Sequence, residues 1–236
     1  MALAITVLTS GGTVASTAFD TASITVPNNA VCYAWVSPYG AVSSPGIDTT
    51  LGGAGLSWSR IADVDRTLGS SKSRRLTLYR AINTSGSDAT GVLSLTASVT
   101  GGSVGGVDYS IEKVTGADTT TPNETPLTAN WGVANYTFAS VGTPAAGDRV
   151  YGGQAGATST TSAEAYDGFT ILSDINSVDG RNFVSSYDAS DPQDDTPSNQ
   201  SNSGGGIVLL LKLALPASFI PWDYAPDAQQ IFHNPR

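Results

Sequence analysis

Few residues in this 236-residue chain can do acid–base, nucleophilic or metal chemistry, and their placement argues against most of it. His233 is the only histidine and Cys32 the only cysteine, so a zinc site lacks its ligands. A hydrolytic serine needs a neighbouring base, and no Gly-x-Ser-x-Gly elbow is present. Cys32 lies in the apolar run Val31-Cys32-Tyr33 without a cationic neighbour, the setting of a small buried hydrophobe. Glu112, Glu124 and Glu164 are the only glutamates available to a glycosidase-type pair of carboxylates. Four carboxylates gather in Asp188-Ala189-Ser190-Asp191-Pro192-Gln193-Asp194-Asp195, which suits a hard cation in principle. The run lacks the glycine and distal glutamate of an EF-hand loop, so it is expected to be a solvated acidic loop. Gly101–Gly106 and Gly204–Gly206 run into strand patterns and open no helix, so they read as turns, not phosphate cradles. The expectation is a protein without catalytic residues, cofactor or metal.

Charge narrows the partners. The net charge is −9, and only 13% of residues are charged, about half the usual share. Residues 121–236 hold twelve acidic and four basic side chains, whereas residues 1–120 nearly balance. Such a chain is repelled by nucleic acid and by anionic membranes. Its longest apolar run, 206–216, is too short to span a bilayer and contains Lys212. The N-terminal Met1–Leu8 stretch reads as a first strand, not a signal peptide, and the chain as soluble.

Gly, Ser, Thr and Asn take the place of the missing charge and favour turns and short strands. Alternating segments bounded by Gly, Pro, Asn and Ser predict strands near 3–8, 21–26, 30–37, 56–63, 74–82, 91–98 and 107–115. A second series falls near 136–141, 148–155, 168–173, 182–187 and 206–214. No stretch of ten residues has helical periodicity. Ser43 to Gly55 reads as a long loop, and Trp35 and Trp58 as core residues, not sugar-stacking platforms.

The two series repeat one pattern. Pro27-Asn28-Asn29-Ala30-Val31-Cys32-Tyr33-Ala34-Trp35-Val36 resembles Pro144-Ala145-Ala146-Gly147-Asp148-Arg149-Val150-Tyr151-Gly152-Gly153, about 117 residues on. Ser57–Asp63 matches Gly168–Asp174, Leu76–Ala81 matches Val184–Ala189, and Val107–Val114 matches Gly206–Leu213. Asp63 and Asp174 thus recur at equivalent places, which points to a turn or strand-end role. The offset shrinks to about 100 along the series, as it would with strands kept and loops shortened. The fold expected is all-β: a jelly-roll-like two-sheet sandwich of two similar halves, 1–117 and 131–215, joined by a linker at 118–130. One shared core and two tandem sandwiches both fit this linker.

Residues 216–236 differ in kind. Four prolines there block strand pairing, while Phe219, Ile220, Trp222, Tyr224 and Phe232 are costly to leave in water. An extended C-terminal arm with aromatic anchors either lies back on its own domain or docks into a neighbouring subunit.

The proline-led apolar strand, the Ser-Trp or Gly-Phe-Thr strand ending in Asp, the Leu-Thr-Leu-Tyr-Arg-Ala strand and the closing Ile-Val-Leu-Leu-Leu-Lys-Leu strand resemble β-sandwich modules of tailed-bacteriophage virion proteins. Such modules occur in head-decoration, head-fibre and tail proteins and in some bacterial surface proteins. The resemblance spans about residues 20–215 and implies a non-enzymatic structural protein in the virion. Its implied partners are the major capsid protein or other virion subunits, with self-association into a homo-oligomer. The competing expectation is a tail or surface module that binds host glycans.

Overall fold

A computed structural model describes residues 2–14, 16–40, 46–68, 72–131, 136–156, 164–176, 182–190, 193–199 and 204–215. The described residues form strands and no helix, with every strand pair antiparallel. The first large sheet contains β1 (Ala4–Val14), β4 (Ala30–Gly40), β6 (Ser59–Leu68), β7 (Lys72–Asn83) and β10 (Val104–Thr115). The second contains β11 (Leu127–Trp131), β13 (Arg149–Gly156), β14 (Thr170–Asn176), β15 (Asn182–Tyr187) and β17 (Gly204–Leu211).

The sheets have the same internal order: β1-β10-β4-β7-β6 in one and β11-β17-β13-β15-β14 in the other. The four strand pairs matched in sequence therefore occupy equivalent places. A shared irregularity fixes the alignment. The ladder between β6 and β7 shifts at Ile61, between Arg60 and Ala62, and that between β14 and β15 shifts at Leu172, between Ile171 and Ser173. Bulges re-aim the residues that follow, so Asp63 and Asp174 sit just past equivalent bulges. Both lie within strands, not at the strand ends expected from the repeat.

The sheets pack face to face, with side chains of β4 against β13, β10 over β15, β7 over β17, and the edges β1 and β6 near β14 and β11. This is how two copies related by a two-fold axis would stack. The seam is filled by Val31, Tyr33, Trp35, Leu76 and Leu78 from one sheet and Tyr151, Phe183, Ile207, Leu209 and Leu211 from the other. Trp35 needs a hole opposite, and Gly153 provides it: a Cβ there would lie 2.8 Å from the indole ring.

Each sheet is covered on its outer face too. The first is roofed by β2 (Ala18–Asp20), β9 (Leu93–Val99) and β5 (Ile47–Gly53), and by the ribbon β3 (Ile24–Val26)–β8 (Ala89–Gly91). Beneath them lies an aliphatic core including Val26, Ala34, Val36, Leu93, Leu95 and Ile111. Burial on both faces explains why every residue of β4 is buried and why its sequence is almost continuously apolar. Among the described residues, the second sheet's outer face carries only the ribbon β12 (Tyr136–Thr137)–β16 (Ser198–Asn199) and connecting segments, packed around Trp131, Phe138, Tyr166 and Phe169. β5 lies inside the stretch expected to be a loop, and β11 begins inside the stretch expected to be linker. Threonines and glycines dilute the alternation of β5, whereas β11 (Leu-Thr-Ala-Asn-Trp) alternates but is only five residues long.

Candidate functional site

The densest chemistry among the described residues lies inside the seam. Positions 108, 110 and 112 of β10 alternate with the outward-packed Val107, Tyr109 and Ile111, and so face the second sheet. Glu112 is completely buried. Its Oε1 accepts hydrogen bonds from Ser110 Oγ (2.7 Å) and from Ser185 Oγ of β15, and its Oε2 accepts from Tyr151 Oη of β13 (2.5 Å). Trp35 Nε1 donates in turn to Tyr151 Oη. Two strands from each sheet thus converge on one carboxyl. Burial pushes Glu112 above the usual carboxylate range, against the pull of its hydroxyl donors. Burial and the Glu112 charge push the Tyr151 hydroxyl up as well.

Nearby in the seam, Arg74 Nη2 donates to Asp108 Oδ2 at 2.6 Å and Arg74 Nε to Ser37 Oγ at 2.7 Å, all three residues being buried. Tyr33 Oη and Arg80 Nη1 both donate to Asn123 Oδ1 at 2.9 Å, which ties the connection between the halves to the first sheet. Glu112, Tyr151, Arg74, Asp108 and Ser37 are buried by packed side chains, whereas Arg80 and Asn123 are half-buried. Their partners come from both halves, so the arrangement clamps the sheets together. Cys32 is buried as expected, its thiol pushed well above the ordinary range by burial.

In the acidic loop expected to be solvated, Asp194 is exposed and Asp195 half-buried, whereas Asp188 turns inward. Asp188 is only 2% exposed and accepts from Ser190 N and Oγ through Oδ1 and from Asp194 N through Oδ2. Asp194 accepts from Thr196, and Asp195 from Ser140 Oγ. These carboxylates shape their own loop because it carries many backbone N–H groups without ladder partners. Asp191 lies outside the described residues. No group of three or more potential metal ligands occurs among the described residues. Glu124 and Asp148 flank Lys212 at 3.1 and 3.4 Å, while Asp148 Oδ1 also caps Leu213 N. Glu164 is exposed.

The expected docking residues Phe219, Ile220, Trp222, Tyr224 and Phe232 lie outside the described residues, as does His233. The root of the arm is well defined. Lys212 N donates to Pro122 O, Asp118 N to Lys212 O and Ala214 N to Gly116 O, so the chain is pinned to the 116–122 connection. Beyond this clamp Leu215 is 85% exposed and borders an open cavity of about 370 Å³ with Ala117, Asp118 and Asn29.

Asp108, Ser110 and Glu112 carried a period-two signal, which by itself reads as a solvent face; only the presence of the second sheet turns that face inward. No protein family, curated protein or solved structure matches the chain.

Proposed function

We propose that the chain is a non-enzymatic structural subunit of a tailed-bacteriophage virion, a capsid-decoration or head-fibre component that docks on other virion subunits through its C-terminal arm. The observation that carries this reading is the exit of the chain. A sandwich with both large sheets covered ends in a three-bond clamp at residues 212–214, and Leu215 then points into solvent. The proline- and aromatic-rich arm follows directly. A firm root matters because a docked segment holds its cargo only if its base does not fray.

Two further points support the reading. Buried Glu112 bonds to both halves, Arg74 pairs with Asp108 inside the first sheet and Asp188 caps its own loop, which is structural work. Glycan binding needs a platform of open rings, and no aromatic residue among the described residues is exposed; the large exposed apolar side chains are Val92, Ile171 and Leu215.

The test compares the full chain with one ending at Leu215. Both are expected to fold, and only the full chain to copurify with intact particles. Normal attachment by the shortened chain would overturn the docking role of the arm.

A further inference from the structure

Two five-stranded sheets have four edges, and three of them are guarded. β6 carries Arg60, Asp63 and Asp65 along its length. β14 has seven residues, a bulge and Asp174. β11 has five residues, and Asn130 at its end donates to Asp65 O across the sandwich. These are the usual devices that keep a sheet edge from pairing with another chain.

β1 has fewer. It is eleven residues long, Ala-Ile-Thr-Val-Leu-Thr-Ser-Gly-Gly-Thr-Val, without a charge or a proline. It pairs with β10 on one side only, and among the described residues nothing is bonded to its other side. The register shifts at Leu8, between Val7 and Thr9, so the bulge bends the strand there. From Thr9 to Val14 the ladder runs without interruption.

We propose that β1 is a self-pairing edge: the Thr9–Val14 stretch of a second copy of this chain lies antiparallel against the same stretch of the first. The first large sheets of the two copies then merge into one ten-stranded sheet. Charge selects this occupant. Each copy carries −9, so association needs a contact line free of like charges. Pairing through β6 would bring Arg60, Asp63 and Asp65 of two copies together. In this register the cross-strand pairs are Thr9–Val14, Ser10–Thr13 and Gly11–Gly12, all uncharged, and a Thr–Ser pair favours an antiparallel ladder. The only charge of the described residues beside this stretch on β10 is Asp108, buried and paired to Arg74.

The test uses the full chain. Sedimentation across a range of concentrations is expected to show a monomer–dimer equilibrium. Hydrogen exchange at high concentration is expected to slow by on the order of tenfold in peptides covering β1, and nowhere else in the sandwich, when about nine-tenths of the chains are paired. Thr6→Lys with Ser10→Lys, both at exposed positions, is expected to weaken dimerisation by at least about tenfold without changing the melting temperature of the dilute protein. A monomer at all concentrations overturns the proposal. So does a dimer in which protection falls on residues 216–236 instead, which would implicate the arm, or a lysine variant that pairs as well as wild type. Should the variant fail to fold, exchange on the wild type decides alone.

Discussion

The two large sheets share strand order and bulge position yet differ in what they offer the seam. At equivalent places along the ladders, the first sheet presents Trp35 where the second presents Gly153, and Ser110 and Glu112 where the second presents Ile207 and Leu209. Their roofs differ as well. Among the described residues, five strands over a mainly aliphatic core cover the first sheet, and one short ribbon over four buried aromatic rings covers the second. In the second half, rings do what strands do in the first. Trp131 and Tyr136 stack with centroids 5.2 Å apart, and Phe138, Tyr166 and Phe169 continue edge to face. They lie close to the sheet where its outward positions are glycines: a Cβ at Gly206 would sit 2.5 Å from Tyr166 Oη and one at Gly152 2.5 Å from the Tyr166 ring. Strand order thus tolerates opposite side-chain solutions, provided that a large residue on one half meets a hole on the other.

The largest expected effect comes from breaking that complementarity. Trp35→Ala empties the centre of the seam and removes the indole donor to Tyr151, and should cost about 3–5 kcal/mol in denaturant unfolding. Arg74→Met should cost about 3 kcal/mol, because Asp108 is left as an uncompensated buried charge. Adding Asp108→Leu should recover most of that loss; failure to recover it would mean the ion pair specifies the seam and does not merely fill it. Gly153→Ala should cost about 1–3 kcal/mol by crowding Trp35. If Gly153→Ala were neutral, the hole would be looser than the 2.8 Å approach indicates.

Much of this was legible from residue patterns, and the losses have physical causes. Matching Leu76–Ala81 to Val184–Ala189 placed the right strands together. The ladders set the register one residue differently, since Arg80 and Tyr187 face Ser59 and Thr170 respectively. Apolar alternation identifies a strand but slides freely along it, and bulges that pin register leave no mark in composition. Burial of Trp35 was readable from its strand, whereas the inward turn of Asp188 depended on the backbone donors of its own loop. The arm residues lie outside the described residues, so Phe219, Ile220, Trp222, Tyr224 and Phe232 rest on sequence alone.

The carboxyl at the seam gives a smaller, pH-dependent signature that the apolar equivalent Leu209 cannot give. Burial raises the folded-state value of Glu112 above its unfolded one. The folded chain therefore keeps a proton that the unfolded chain has lost. The associated stability is fully present below the ordinary glutamate value, about 4.3, and is lost as pH rises through the elevated folded value. Tyr151, Tyr33 and the Arg74–Asp108 pair are the other titratable groups of the seam, and burial pushes both tyrosines upward, out of the same window. Glu112→Gln mimics the neutral acid, so its melting temperature relative to wild type should climb as pH is raised from mildly acidic to mildly alkaline. A relative melting temperature that instead fell with pH would mean that the hydroxyls of Ser110, Ser185 and Tyr151 overcome desolvation and hold the anion.

The smallest effect is expected at a partly exposed charged network in the first half. Asp48 of β5 accepts from Arg60 of β6 and, at 3.4 Å, from Arg75 of β7, and Arg75 also grips both oxygens of Asp65 at 2.5 and 2.7 Å. The hydrogen bond from Arg60 holds the Asp48 carboxyl below its ordinary range, so its contribution is present at neutral pH and is lost as pH falls through that lowered value. The Asp48 side chain is 57% exposed, however, and water and salt screen it. Asp48→Asn should therefore cost less than about 1 kcal/mol at low ionic strength and less again in high salt. β14, which takes the place of β6 in the second sheet, contains no arginine of its own. A loss of several kcal/mol on Asp48→Asn, insensitive to salt, would show that the first half depends on this network to hold its roof, and that the two halves differ in how they are stabilised as well as in what they bury.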